Sequence, residues 1–306
     1  MTHIGGIKNK IINLRTLSNN DAEDRAIRAG LIDGGLTLLS RDKAIETKFL
    51  KSLPEHDRTL ARTLAVGMGA HRAVLTGLSA ARVRGMWVAG RNREPVELAS
   101  KSIPPRSQWN PGTVYRYINL PPSEIIETHG VRTPRIFRIL AEIGRHHGFS
   151  DALVAADWLR AKGISKSELQ HQTALLGKFK GIQAVRRAVE HSVDCSDSPF
   201  EPYARALFIE AKLPVRAQVP VCNGLYRVDL LIGDRTVVEI DGEVKYSGDY
   251  GPAAEVIRAE KIRENRIRNT GRSLLRYSPS DLMNRSDQVV EEVTADYQMH
   301  LRRRSA

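Results

Sequence analysis

The sequence is poor in cysteine: Cys195 and Cys222 are the only two in 306 residues. That excludes a disulfide scaffold and a cysteine-rich zinc site. Both are expected to be inert, reduced thiols. No run approaches the ~18 apolar residues of a membrane span. The opening stretch, MTHIGGIKNKIINLRTLSNND, carries charge but no apolar signal-peptide core, so a cytoplasmic location is expected. There is no G-x-x-x-x-G-K-[ST] phosphate loop, no H-E-x-x-H zinc motif and no internal repeat. Adjacent His146 and His147 point apart on a helix and are expected at exposed helix ends.

What is present begins with charge. The chain has 47 basic and 35 acidic residues, net +12. Residues 1–195 hold 30 Lys/Arg and 18 Asp/Glu; residues 196–306 hold 17 of each. The whole excess therefore lies in the first two thirds. A basic segment beside a neutral one suggests a polyanion anchor joined to a module with another task. A hydrophobic content of 41% supports a packed core.

Short helices are expected over 21–30, 56–69 and 77–85, the last capped by Thr76. Strands are expected over 95–99 and 113–119, and helices over 133–147, 150–161, 165–176 and 179–191. The polar segment Asp194–Pro199 reads as a domain boundary. Ser198-Pro199-Phe200-Glu201 has the form of a capping box with Pro at the first helical position. The helix it opens carries Phe200, Tyr203, Ala204, Leu207, Phe208 and Ala211 on one stripe. Strands follow over 215–221, 226–232 and 236–241, then a helix over 253–270, a strand over 273–277, and a last helix from Ser280. The order is αβββαβ plus a terminal helix.

The chemistry concentrates in RVDLLIGDRTVVEIDGEVKY. If Ile232 pairs with Thr236, Asp229 lies opposite Glu239, with Cβ atoms about 4.5–5.5 Å apart. Asp241 shares that face. Val228, Leu230, Ile232, Val238 and Ile240 are expected on the other. Clustered carboxylates repel and resist desolvation. A hard divalent cation resolves that conflict, and Mg²⁺ commonly binds through one or two carboxylates plus a phosphate. Lys245 could reach a scissile phosphate. Glu201, at the start of its helix, is either the acid of the capping box or a further group at the metal. Salt bridges from neighbouring arginines are the alternative fate of these acids. Arg258, Lys261, Asn265 and Arg268 fall on one helical face, suited to a DNA backbone.

Glu201, Arg-Val-Asp229, Val-Val-Glu239-Ile-Asp241-Gly242, Arg-Glu-Asn-Arg-Ile-Arg and Gly271…Leu-Leu-Arg-Tyr277 resemble the PD-(D/E)XK nuclease superfamily, in its Vsr-related branch, over about 196–282. The resemblance implies a restriction-endonuclease-like domain over 196–306, with Asp229 and Glu239 as ligands of Mg²⁺ or Mn²⁺, Asp241 a third acid and Glu201 the helix acid. Position 241 holds Asp where the superfamily usually has Lys, so Lys245 would serve in its place. The segments EDRAIRAGLIDGGLTLLSR, AVLTGLSAARVRGMWV and ETHGVRTPRIFRILAEIGRHHGFSDALVAADWLRAKG resemble the AbiEi-type antitoxin architecture. That implies a winged-helix-like region over 1–60, an α/β and helical domain over 61–195, and a cognate toxin as partner. The expected fold class is α+β. The expected function is a Mg²⁺-dependent DNA endonuclease; the alternative is an antitoxin or repressor whose nuclease fold is vestigial. A scaffold without nucleic acid is the remaining reading.

Overall fold

The computed structural model describes residues 3–18, 21–90, 94–241 and 253–305. It is of mixed α+β class. Two compact units divide the chain: Met1–His146 with Leu176–Lys178, and His147–Leu175 with Phe179–Ala306. Among the described residues, no helix is long and apolar enough to cross a membrane.

Unit 1 opens with α1 (His3–Lys8), β1 (Ile12–Asn13), a 3-10 turn over Leu14–Thr16, α2 (Ala22–Asp33), β2 (Leu36–Ser40) and β3 (Lys43–Glu46). The three strands form one antiparallel sheet in the order β1-β3-β2. Asp21 caps α2 by accepting a bond from the Glu23 amide at 3.0 Å. The helix does not stop at Gly30. It runs to Asp33 and ends at Gly34, whose φ of 82° suits a left-handed cap. Gly30 instead lets Leu36 approach: a Cβ there would lie 3.1 Å from Leu36 Cγ.

Helices α3 (Thr47–Ser52) and α4 (Glu55–Gly69) follow, then β4 (Val74–Leu75), α5 (Gly77–Val83), β5 (Val96–Ser100) and β6 (Thr113–Tyr117). Strands β4, β5 and β6 make a second sheet in that order. Thr76 precedes α5, but its side chain makes no capping bond. Glu97 of β5 does that work, accepting from the Leu78 amide at 2.8 Å. Strands β7 (Ile125–Thr128) and β8 (Val131–Pro134) form a hairpin that the helical reading of 133–147 overran. Helix α6 (Ile136–Ala161) begins after it and breaks at Gly148, where φ is 82° and ψ −160°. His146 is half-buried on α6, its Nε2 3.5 Å from Glu142, so it is not an exposed helix end.

Unit 2 takes the later part of α6 with α7 (Lys166–Leu175), α8 (Ile182–His191) and α9 (Phe200–Glu210). Strands β9 (Val215–Val221), β10 (Tyr226–Ile232), β11 (Thr236–Ile240) and β12 (Ser273–Tyr277) form its sheet, in the order β12-β11-β10-β9. The first three are antiparallel; β11 and β12 are parallel, joined by α10 (Ala253–Asn269). Helices α11 (Pro279–Asn284) and α12 (Ser286–Ser305) complete the chain.

One buried pair ties the early helices of unit 2 to its sheet layer. Asp157 on α6 accepts two bonds from Arg205 on α9, at 2.8 and 2.9 Å, and one from Ser196 at 2.6 Å. Asp157 is fully buried. Burial pushes its carboxyl up, and the Arg205 charge and the Ser196 and Val193 bonds pull it back only in part.

Candidate functional site

Strands β10 and β11 pair Leu230 with Val238, Leu231 with Val237 and Ile232 with Thr236. That register, continued by one step, sets Asp229 across from Glu239. The ordered ladder stops at Leu230, however, and the Asp229 carboxylate turns to the backbone: its Oδ2 accepts from the Ile240 amide at 2.9 Å.

The cause lies on the neighbouring strand. Val228 pairs with Val219 and Leu230 with Ala217, and the pairing passes over Asp229 and Gln218. Gln218 has a left-handed φ of 52°. This conformation is costly for a side chain with a Cβ and clusters at functional positions. It breaks the two-residue alternation. Val228 packs in one cluster with Leu231, Val237, Ile267 and Leu274, not with the Leu230 and Val238 face on which strict alternation placed it.

The same distortion brings Gln218 to Glu201. Gln218 Nε2 donates to Glu201 Oε2 at 2.6 Å, and the Asp197 amide donates to the same oxygen at 3.2 Å. The capping box does not form as expected. Helix α9 starts at Phe200 with Pro199 at its cap, which makes no side-chain capping bond. Glu201 is only 5% exposed. Burial raises its pKa; the Gln218 bond works against this, and the nearby Asp229 charge adds to it. Glu201 and Asp229 are therefore within electrostatic reach of each other.

Glu239 is held differently. It is 3% exposed. Arg263 on α10 clasps both of its oxygens: Nη1 donates to Oε2 at 2.9 Å and Nη2 to Oε1. The same Nη2 also donates to the Arg227 carbonyl at 3.1 Å. Burial depresses the Arg263 pKa, but the Glu239 bonds and the charges of Glu239, Asp229 and Glu260 outweigh it, and the net direction is up. A second guanidinium stands alongside. Arg276, the residue paired with Glu239 across the parallel β11/β12 ladder, lies 3.6 Å from Glu239, 3.6 Å from Asp241 and 3.0 Å from Glu260.

The acids are thus gathered at one end of the sheet but threaded with arginine. Among the described residues, no group of three or more His, Cys, Asp or Glu is placed to hold a metal ion. Their hard oxygens suit Mg²⁺ in kind. With both Glu239 oxygens on Arg263, the arrangement does not fit one. Lys245 lies outside the described residues.

Arg258, Lys261, Asn265 and Arg268 are all exposed along α10, and Arg268 pairs with Glu264 at 2.8 Å. Arg263, Arg276, Glu260 and Gln218 were not singled out from the sequence. A signal existed for two of them: Arg263 and Glu260 stand four and seven residues before the buried Ile267, on the sheet-facing stripe of α10. Gln218 gave none, because its backbone conformation is set by its partners. Both cysteines are free, and burial pushes the Cys195 thiol up, in keeping with an unreactive group.

Compared with family models, with curated proteins and with solved structures, the chain matches none.

Proposed function

We propose that this chain is a duplex-DNA-binding protein of repressor or antitoxin type, with a restriction-endonuclease-like domain at its C-terminal end. The observation that carries the reading is the opening of unit 1: helix, strand, short turn, helix, then two strands, in a sheet ordered β1-β3-β2. This connectivity supports a winged-helix reading in which the second helix is reduced to a 3-10 turn. Its candidate recognition helix, α2, buries no residue and exposes Arg25 and Arg28. The net positive charge of residues 1–195 supplies the phosphate attraction that such a unit needs. The αβββαβ order, with an antiparallel run of three strands and a parallel fourth, supports the nuclease-like reading of the second part.

Catalysis is the second reading. It is favoured by Asp229 and Glu239 on adjacent strands and by burial and the Asp229 charge, which together raise the Glu201 pKa. On this reading Asp229 and Glu239 would have to leave the Ile240 amide and Arg263 before they could take Mg²⁺ or Mn²⁺ for phosphodiester hydrolysis. The arginine clasp on Glu239 ranks it behind binding.

Duplex gel shifts and supercoiled-plasmid nicking separate the two. The expected result is a salt-sensitive shift, unchanged by Asp229→Ala, with no nicking in Mg²⁺. Nicking that Asp229→Ala abolishes replaces binding by hydrolysis. No retention on duplex at low salt removes both.

A further inference from the structure

Unit 1 contains a cleft of about 550 Å³ between β2 and α4. Leu38, Leu50 and Pro111 give it apolar wall; Arg41, Arg58 and Arg62 give it charge. Leu38 is 57% exposed, so its side chain is open to a ligand in the cleft.

The guanidiniums are positioned chiefly by neutral groups. Arg41 Nη2 donates to the Ser107 carbonyl at 2.5 Å, while the Arg41 amide is held by Asn110 Oδ1 at 2.9 Å. Arg62 Nη2 donates to the Pro111 carbonyl. Gly112, with φ of 61°, leaves the room: a Cβ there would lie 2.2 Å from Arg62 Nη2. Arg58 donates to the Leu53 carbonyl at 2.8 Å and the Lys51 carbonyl at 3.1 Å. Glu55, itself largely exposed, approaches Arg58 only to 3.5 Å. The other acid of the lining, Glu94, is engaged by Arg82 at 2.6 Å. Carbonyl oxygens fix these arginines in place without cancelling their charge. Each guanidinium has five N–H donors, so Arg41 and Arg62 keep several for a ligand.

Three cations beside an apolar wall, in a concavity of this size, suit a phosphate attached to a flat apolar ring. We propose that this cleft binds a nucleoside phosphate: Arg41, Arg58 and Arg62 take the phosphate, and the base lies along Leu38, Leu50 and Pro111. The same chemistry is presented by a free nucleotide and by an unpaired nucleotide in a DNA strand. The site lies within unit 1 and does not depend on the role of the acids around Glu239.

Calorimetric titration of the full chain with 2′-deoxyadenosine 5′-monophosphate, inorganic phosphate and a single-stranded oligonucleotide tests it. The nucleotide is expected to bind at least about tenfold more tightly than inorganic phosphate, because only it covers the apolar wall. Arg41→Ala with Arg62→Ala should weaken binding by about tenfold or more. Those changes also release the 104–111 turn, so Leu38→Glu is the second variant; it lies at an exposed position, removes apolar wall from the base and adds a carboxylate to the cleft that competes for its arginines. It should abolish nucleotide binding with the thermal midpoint retained. Binding of the mononucleotide identifies a free-ligand site; binding of the oligonucleotide alone identifies a strand site. Binding of neither, or binding indifferent to Leu38→Glu, overturns the proposal. Asp229→Ala leaves nucleotide binding unchanged in either supporting case.

Discussion

Arg263 and Glu239 form a two-point ion pair across the sheet–helix layer of unit 2, with Glu239 almost wholly buried beneath it. A paired guanidinium offsets the cost of burying a carboxylate on a central strand. Removing one partner leaves the other charged and desolvated. Arg263→Ala is therefore expected to cost about 2–4 kcal/mol, with Arg276 as the remaining partner of Glu239. Chemical denaturation of the variant measures it. A double-mutant cycle with Glu239→Gln should give a coupling of at least about 1 kcal/mol; a coupling near zero would show that the two side chains are not paired in solution.

Asp157 and Arg205 make the stronger case, since both are buried and Ser196 completes the set. Arg205→Met should destabilise the chain by about 3–5 kcal/mol, because it strands a buried carboxylate. Asp157→Asn with Arg205→Met should recover part of that loss. Urea midpoints of the three variants decide it, and a double variant no better than the single would contradict this account.

Glu201 gives a pH signature. Its pKa is raised in the folded chain, chiefly by burial. The folded chain therefore holds this proton to higher pH than the unfolded chain does. The contribution is fully present below the unfolded carboxyl value and is lost as pH rises through the folded one. Glu201→Gln keeps a neutral group there at every pH. The stability of wild type relative to the variant should fall from pH 4 towards pH 7. A difference that stays flat, or rises, refutes the assignment.

Gly77 stands at the start of α5 with φ of 54°, and a Cβ there would lie 2.2 Å from Glu97 Oε2. Gly77→Ala is expected to lower stability by about 2 kcal/mol or more, through the strained φ and the displaced carboxylate. A thermal melt provides the check. A neutral effect would mean that Glu97 can leave the α5 amides at no cost.

Much of unit 2 was legible because its elements are strongly patterned. The strands over 215–221, 226–232 and 273–277 coincide with those observed, as does the hairpin register from Ile232 and Thr236. Short turns and alternating apolar residues carry such information locally. The surroundings of the acids were not legible. Which group faces Glu239 depends on helix α10 and on β12, a strand paired in parallel. Neither is near in sequence.

By itself, the sequence determined the class of fold, the αβββαβ order in the second unit, the hairpin register from Ile232 and Thr236, and the uneven distribution of charge. These follow from periodicity, turn residues and composition, which act over a few neighbours. Only the tertiary structure decided that Gln218 would adopt a left-handed backbone, that Val228 would change face, and that arginines from α10 and β12 would close on Glu239. Those outcomes are set by long-range packing and by the need to neutralise a buried charge, which no local pattern encodes.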